Sequence, residues 1–328
     1  MVDTLSVIMG IILALIATFC FNLAIVFQKR GLIEGPEIKF EEGIVSVLKS
    51  FKVFFKNKSW ISGFFLGIIG WIPYVIAMGL VGILVVQPIM SVGLIVFVIA
   101  ANRILGERIS LFEYISICML IIAPILIVFA GISEVRINLY QFVVPFLIFL
   151  VISFSTSFIC FLISKRKRGT QLESLFIMFV GAILYALGGI FTNVFAQAFI
   201  DAKINLFTYY GWIEVLFGVF WFDYIHLWVF LGFWGMIICN ISSVVFYQSA
   251  FQKGKTVLMF PILNSFALII PIVVGLFVFR QSFNNDYLFL IAIVFILSAT
   301  LILSKFQAEI EIFHKIHDNS KKSNNSVK

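Results

Sequence analysis

Residues 84–107, LVVQPIMSVGLIVFVIAANRILGE, form an apolar run with a proline near its start, and residues 257–280, VLMFPILNSFALIIPIVVGLFVFR, form a second run of this kind. A single offset between the two runs aligns several pairs of identical residues, among them Pro88 with Pro261, Ile89 with Ile262, Ala77 with Ala250, and Tyr74 with Tyr247. Identical residues that recur in one register are typical of an internal duplication. We therefore predict that the chain consists of two related halves.

The composition indicates that most of the chain lies in a lipid bilayer. Of the 328 residues, 62% are hydrophobic and only 12% are charged. Several apolar runs reach about 20 residues, which is enough to cross the roughly 30 Å hydrocarbon core. The short alternating segments of a transmembrane β-barrel do not occur in the sequence. The sequence therefore predicts an all-α polytopic membrane protein.

Nine apolar segments are predicted to be transmembrane helices. They cover residues 5–27, 60–80, 84–104, 110–131, 139–163, 174–199, 225–251, 257–279 and 286–304. If the N-terminus lies outside, all 23 Lys and Arg residues except Arg136, Lys203 and Arg280 fall in or beside inner loops. Because cytoplasmic loops carry an excess of Lys and Arg, we predict an outside N-terminus and a cytoplasmic C-terminus.

Three further segments are predicted to lie outside the bilayer core. Residues 43–58 combine apolar residues at helical spacing with lysines, which predicts an amphipathic helix on the inner membrane surface. Residues 204–222 are aromatic but include Glu214, which favours an outer interfacial segment. From sequence alone, a crossing by either segment stays open. Residues 305–328 are predicted to form a cytoplasmic tail.

The predicted spans group into two transporter repeats, residues 1–131 and residues 139–304. Three spans of the first repeat correspond to the last three of the second, and the topology makes each pair run in opposite directions. Such an inverted repeat is a common plan of secondary transporters, with the substrate site between the halves. The first repeat lacks one crossing that the second contains.

Neither an enzyme nor a nucleic-acid-binding protein is indicated. The four cysteines lie singly in apolar runs, which is typical of small buried side chains: Cys20, Cys118, Cys160 and Cys239. No catalytic motif occurs, and no cofactor or metal site is predicted. The net charge of +7 is explained by the basic inner loops, so it does not indicate binding to nucleic acid.

The run that begins near Pro88 closes with Gly106-Glu107-Arg108, just before the next predicted span. Together with two repeats of about five helices, this motif resembles the drug/metabolite transporter superfamily and its EamA-type repeat. The first span ends in FQKRGL, residues 27–32, and this ending and the missing crossing are similar to the NIPA-like magnesium transporter branch. The resemblance implies a multi-pass plasma-membrane transporter whose partners are the lipid bilayer and a small-molecule solute, and it leaves a homodimer open.

The acidic residues favour a polar solute over a metal ion as the substrate. The resemblance implies a carboxylate inside the helix equivalent to residues 60–80, but this helix has no Asp or Glu. Glu113 and Glu173 lie at the ends of predicted helices. Because Mg²⁺ dehydrates reluctantly and is usually bound through carboxylates, we predict transport of a small polar or zwitterionic solute by alternating access. The alternatives are a NIPA-like transporter of magnesium or another divalent cation, and a non-transporting membrane scaffold or lipid-handling protein.

Polar uncharged side chains within the spans are the candidates for a solute cavity, together with two prolines that can free a backbone carbonyl or act as hinges. The set is Asn22, Tyr74, Gln87, Pro88, Ser91, Asn193, Gln197, Asn240, Tyr247, Pro261 and Asn264. The alternative for each polar residue is a hydrogen bond between helices, which membrane bundles use routinely. Glu107 and Arg108 are predicted to act as helix-end charges or an ion pair at the inner surface, with gating as the alternative.

Overall fold

The structure is a computed structural model that describes residues 4–33, 45, 49, 52–95, 111–134, 137–205, 208–253 and 256–303. The inner-surface candidates Glu107 and Arg108 lie outside these ranges. So do the tail, residues 305–328, and seven residues of the amphipathic helix predicted over residues 43–58, namely 43–44, 46–48 and 50–51. The structure describes the backbone of Pro261, as part of a helix, but not its side chain.

The described chain is almost entirely helical. Its helices are α1 (Thr4–Ile33), α2 (Lys58–Val81), α3 (Ile83–Met90), α4 (Leu111–Ala130), α5 (Val143–Arg166), α6 (Gln171–Asp201), α7 (Tyr209–Phe217), α8 (Tyr224–Lys253), α9 (Thr256–Phe277) and α10 (Asp286–Leu303). Within the described residues, six of them are long and apolar enough to cross a membrane: α1, α2, α5, α6, α8 and α10. Three shorter apolar helices occupy the remaining predicted spans. The all-α polytopic class is confirmed, whereas the division into repeats stays a prediction.

Helix α6 lies at the centre of the bundle. In the most apolar 18-residue stretch of α6, 78% of the residues are buried. The corresponding share is 17–39% in the other five long helices. Glycines allow its neighbours to approach closely, as a small residue does in membrane bundles. A Cβ atom at Gly181 would lie 2.8 Å from the backbone nitrogen of Tyr247 on α8. Helix α6 therefore contacts α2, α5, α8 and α9 and forms the core of the protein.

Helices α1 and α2 form a second close pair. The side chain of Asn57 caps α2 by accepting hydrogen bonds from the backbone nitrogens of Ser59 and Trp60, at 2.9 and 3.1 Å. A Cβ atom at Gly63 would lie 2.5 Å from the carbonyl oxygen of Ala24 on α1. The absence of a side chain at Gly63 thus lets the two backbones touch.

The span predicted over residues 84–104 is not continuously α-helical in its described part. Helix α3 ends at Met90, two residues after Pro88, and the next backbone hydrogen bonds have the tighter three-residue spacing, as from Val92 to Ile89 at 2.9 Å. The hydroxyl of Thr18 on α1 donates to the Met90 carbonyl oxygen at 2.7 Å. A side chain from α1 therefore satisfies a carbonyl at the break.

The connection between α2 and α3 is held by the segment that follows α9. The turn at Gly82 has φ of 72°, in the left-handed region that favours glycine. The buried side chain of Gln281 contacts Gly82, and its Oε1 accepts a hydrogen bond from the backbone nitrogen of Leu84 at 3.4 Å. Gln281 therefore serves as an N-terminal cap for α3, although it is distant in sequence.

A short antiparallel ladder lies at the same end of the molecule. It pairs β1 (Ile132–Glu134) after α4 with β2 (Ser282–Phe283) before α10. The backbone nitrogen of Asn284 also donates to the Gly131 carbonyl oxygen at 2.8 Å. The chain segments after α4 and after α9 are thereby tied together at this end, which the predicted topology places outside.

The aromatic segment predicted over residues 204–222 forms a short helix and a turn, and its outer interfacial position stays a prediction. Helix α7 has nine residues, or about 14 Å, and a four-residue 3₁₀ turn, Gly218–Trp221, follows it. The indole nitrogen of Trp234 on α8 donates to the Leu216 carbonyl oxygen at 3.1 Å, which holds α7 against α8. Exposed rings on this segment include Tyr209 and Phe222, and such rings are typical of a membrane interface.

Gln281→Leu should lower the free energy of unfolding by about 0.5–2 kcal/mol, because the first turn of α3 would lose its cap. Thermal unfolding of the purified protein in detergent would measure the change. Arg280→Gly is the matched control: Arg280 is exposed and has φ of 54°, so glycine should relieve strain and raise the unfolding temperature. Equal unfolding temperatures for Gln281→Leu and the unmodified protein would contradict the capping role.

Candidate functional site

The candidate site lies where one face of α6 meets α2 and α3. Gly189, Asn193 and Gln197 follow one another at four-residue spacing, so they share this face, about 6 Å apart along the helix axis. The opposing residues come from α2 and α3. The predicted first half of the chain thus meets α6 of the predicted second half at this surface.

Gln87 and Tyr74 form a buried polar pair opposite Gly189. The Gln87 Nε2 atom donates to the Tyr74 hydroxyl oxygen at 2.6 Å. A Cβ atom at Gly189 would lie 2.5 Å from Gln87 Nε2 and 3.2 Å from the Tyr74 hydroxyl. Glycine at this position of α6 therefore makes room for the pair.

Gln197 contacts the C-terminal end of α2. Its Nε2 atom donates to the carbonyl oxygens of Gly79 and Met78 at 3.2 and 3.3 Å. These carbonyls lie at the end of α2, where the helix approaches the turn at Gly82. Gln197 therefore links α6 to the end of α2, next to the turn that joins α2 and α3.

Asn193 lies between these two contacts and is completely buried. Neither its amide nitrogen nor its carbonyl oxygen has a hydrogen-bond partner within the described part of the chain. A buried polar atom without a partner costs about 1–3 kcal/mol. Asn193 thus presents a donor and an acceptor at the interface, between the Gln87–Tyr74 pair and Gln197.

Tyr185 adds a hydroxyl group that the sequence prediction missed. It is 37% exposed, although every residue of α6 from Ile177 to Phe199 other than Tyr185 is buried or half-buried. Tyr185 precedes Gly189 by four residues, so the two residues lie on one face of α6. The four-residue spacing could have identified Tyr185 from the sequence. The residues around it are apolar, however, and give no other indication of a site.

Several predicted site residues make local bonds and take no part in this surface. Asn22 donates to the Thr18 carbonyl oxygen at 2.8 Å and contacts Gly93. Asn240 donates to the Met236 carbonyl oxygen at 2.9 Å and contacts Gly188. For both residues the structure favours the packing interpretation. The remaining described candidates lie on other elements: Pro88 follows Gln87 on α3, Ser91 follows the last residue of α3, and Asn264 lies on α9.

The site is built from neutral groups. Amides and phenolic hydroxyls supply both donors and acceptors, and α6 carries its acidic residues, Glu173 and Asp201, at its two ends. Among the described residues, no three His, Cys, Asp or Glu side chains are grouped so that they could hold a metal ion. The arrangement can therefore hydrogen-bond a polar molecule without placing a compensating charge beside it.

Comparison with known proteins gives one partial similarity. Over 108 residues the chain is 32% identical to Probable magnesium transporter NIPA9 of Arabidopsis thaliana, a match that covers 33% of this chain and 30% of that protein. No protein-family model and no solved structure matches the chain. The match supports a relationship to a membrane transporter, and the six long apolar helices of the described chain support an integral membrane protein.

Proposed function

We propose that the protein is a multi-pass transporter of the drug/metabolite type, which moves a small polar or zwitterionic solute by alternating access. The observation that carries this proposal is the pair of unpartnered amide atoms of Asn193. They lie at the interface between α6 and the α2–α3 connection, where a transporter with two inverted halves would hold its substrate. Gln87, Tyr74 and Gln197 flank this position on the two sides.

The neutrality of the site supports this substrate class. An ion that enters a low-dielectric site without a counter-charge loses its hydration and gains little in return. A neutral or zwitterionic solute can replace its hydration by bonds to amides and hydroxyls. Asn193, Gln87 and Tyr185 offer such groups.

The hydrogen bonds that join the two predicted halves of the chain at one end of the molecule support alternating access. Gln281 bonds to the start of α3, and β1 pairs with β2 at the same end. Opening this end would require these contacts to separate. We propose that this closed end is the outer one and that its separation gives access from outside.

Transport of magnesium or another divalent cation is the second candidate, because the partial relative is named a magnesium transporter. A carrier of Mg²⁺ would need oxygen ligands for an ion that keeps near-octahedral coordination and several waters. In the described site those oxygens would come from Asn193, Gln87 and tyrosine hydroxyls. A non-transporting membrane scaffold or lipid-handling protein is the third candidate.

A flux panel on the purified full chain in liposomes separates these candidates. We expect uptake of at least one neutral or zwitterionic organic solute above the level of protein-free vesicles, while entrapped Mg²⁺ indicator reports no added Mg²⁺ entry. Mg²⁺ entry above the protein-free level, without organic uptake, would replace the first proposal by the second. No flux of any solute would favour the scaffold.

A further inference from the structure

A pocket distant from the candidate transport site opens at the other end of the bundle, where α5, α6 and α8 meet. Its volume is about 310 Å³, at the small end of the range for ligand pockets, roughly 300–1,000 Å³. It is lined by Phe161, Ser164, Lys165, Arg168, Glu173, Ile177 and Lys253. Three separate helices therefore contribute charged groups to one cavity.

The charges of this pocket favour an anion. Its lining has three cationic side chains and one carboxylate. Both oxygens of Glu173 are already engaged: Oε1 accepts from Lys253 Nζ at 2.7 Å, and Oε2 accepts from the Gly169 backbone nitrogen at 2.7 Å. The lining as a whole therefore carries a net positive charge.

The apolar part of the lining faces the membrane side. Lys165 extends over the ring of Phe161, with its Nζ atom 4.7 Å from the ring centroid. Next to Phe161 on α5, the apolar side chains of Phe158 and Leu162 are exposed, as lipid-facing side chains are. Ile177 is buried beneath the cavity. The pocket thus joins a cationic rim to a surface suited to hydrocarbon.

We propose that this pocket binds the phosphate headgroup of an anionic phospholipid from the adjoining leaflet, with Lys165 and Arg168 as its ligands. Basic pockets between membrane helices recognise such headgroups by charge, and acyl chains then lie along the neighbouring apolar helix surface. The volume suits a headgroup and excludes most of the acyl chains. A divalent cation is disfavoured, because Lys253 and the Gly169 backbone nitrogen occupy the single carboxylate. This site is independent of the transport proposal.

Native mass spectrometry of the full chain in detergent tests the proposal, with phosphatidylglycerol compared with phosphatidylcholine. We expect the anionic lipid to bind more tightly, and the double variant Lys165→Gln/Arg168→Gln to weaken its binding about tenfold. Inorganic phosphate at millimolar concentration should not displace the lipid, because it lacks the acyl chains. Displacement by phosphate would overturn the proposal in favour of a soluble anion.

Arg166→Gln/Lys167→Gln is the matched control. This variant removes the same charge from the same basic run, residues 165–168, whose side chains are all exposed. Neither Arg166 nor Lys167 lines the pocket. We expect less than about a twofold change in lipid binding for this control. An equal loss in both double variants would show diffuse surface attraction and would overturn the specific site, as would equal binding of the two lipids by the unmodified protein.

Discussion

Asn193→Leu should lose transport of a polar solute while the protein keeps or gains thermal stability. Leucine has a similar size and removes two buried polar atoms without described partners, so the cost of about 1–3 kcal/mol that they impose on folding disappears. A solute would lose a donor and an acceptor. Since one hydrogen bond contributes about 1 kcal/mol net and about 1.4 kcal/mol is tenfold in affinity, we expect transport to fall at least about tenfold.

Thr192→Val is the control for this experiment. Thr192 is as buried as its neighbour Asn193, but its hydroxyl donates to the Gly188 carbonyl oxygen of the same helix at 2.8 Å. Its replacement should leave transport nearly unchanged. Liposome uptake and thermal unfolding of each variant supply the two readouts. If Asn193→Leu lowers the unfolding temperature and loses transport only in proportion to the unfolded fraction, Asn193 has a packing role.

Gly63→Ala should destabilise the protein by about 1–3 kcal/mol or more. The added methyl group would lie 2.5 Å from the Ala24 carbonyl oxygen and 2.8 Å from the backbone nitrogen of Gln28. Because both are backbone atoms of α1, no side-chain rotation can relieve the overlap, and α1 and α2 must separate. Thermal unfolding in detergent should show a fall of several degrees, together with increased aggregation on size-exclusion chromatography.

Gly67→Ala tests whether the loss of stability in Gly63→Ala comes only from the close approach of α1 and α2 at Gly63. Gly67 lies one turn along the same helix, and its added Cβ would have ordinary contact with the Ala24 Cβ atom at 3.9 Å. This variant should be as stable as the unmodified protein or more stable, because alanine favours the helix by about 1 kcal/mol. Equal destabilisation at both positions would contradict the predicted contact between α1 and α2.

The helices were largely predictable from sequence, because the requirement for about 20 apolar residues acts locally. The structure places α2 at Lys58–Val81 and α5 at Val143–Arg166, close to the predicted spans 60–80 and 139–163. The end of α3 at Met90 was not predictable. Pro88 signals a weakened helix, but the hydroxyl that satisfies the Met90 carbonyl comes from Thr18, 72 residues earlier in the chain.

The candidate site was predictable only as a set of residue types. Amides within apolar runs are visible in the sequence, and Gln87 and Asn193 were selected on that basis. Asn240 has the same side chain as Asn193, yet it bonds to its own helix while Asn193 does not. The spacing of Tyr185 before Gly189 is visible in the sequence, but its exposure is not, because its neighbours in the chain are apolar.

The sequence by itself determined the membrane class and the approximate helix positions, and it predicted the orientation. Hydrophobicity and the distribution of Lys and Arg depend on local composition and need no knowledge of contacts. Only the tertiary structure decided that Gln281 caps α3, that Gly189 admits the Gln87–Tyr74 pair, and that Asn193 is left without a described partner. Hydrogen bonding between helices depends on their rotation and separation, and packing across the whole bundle determines both.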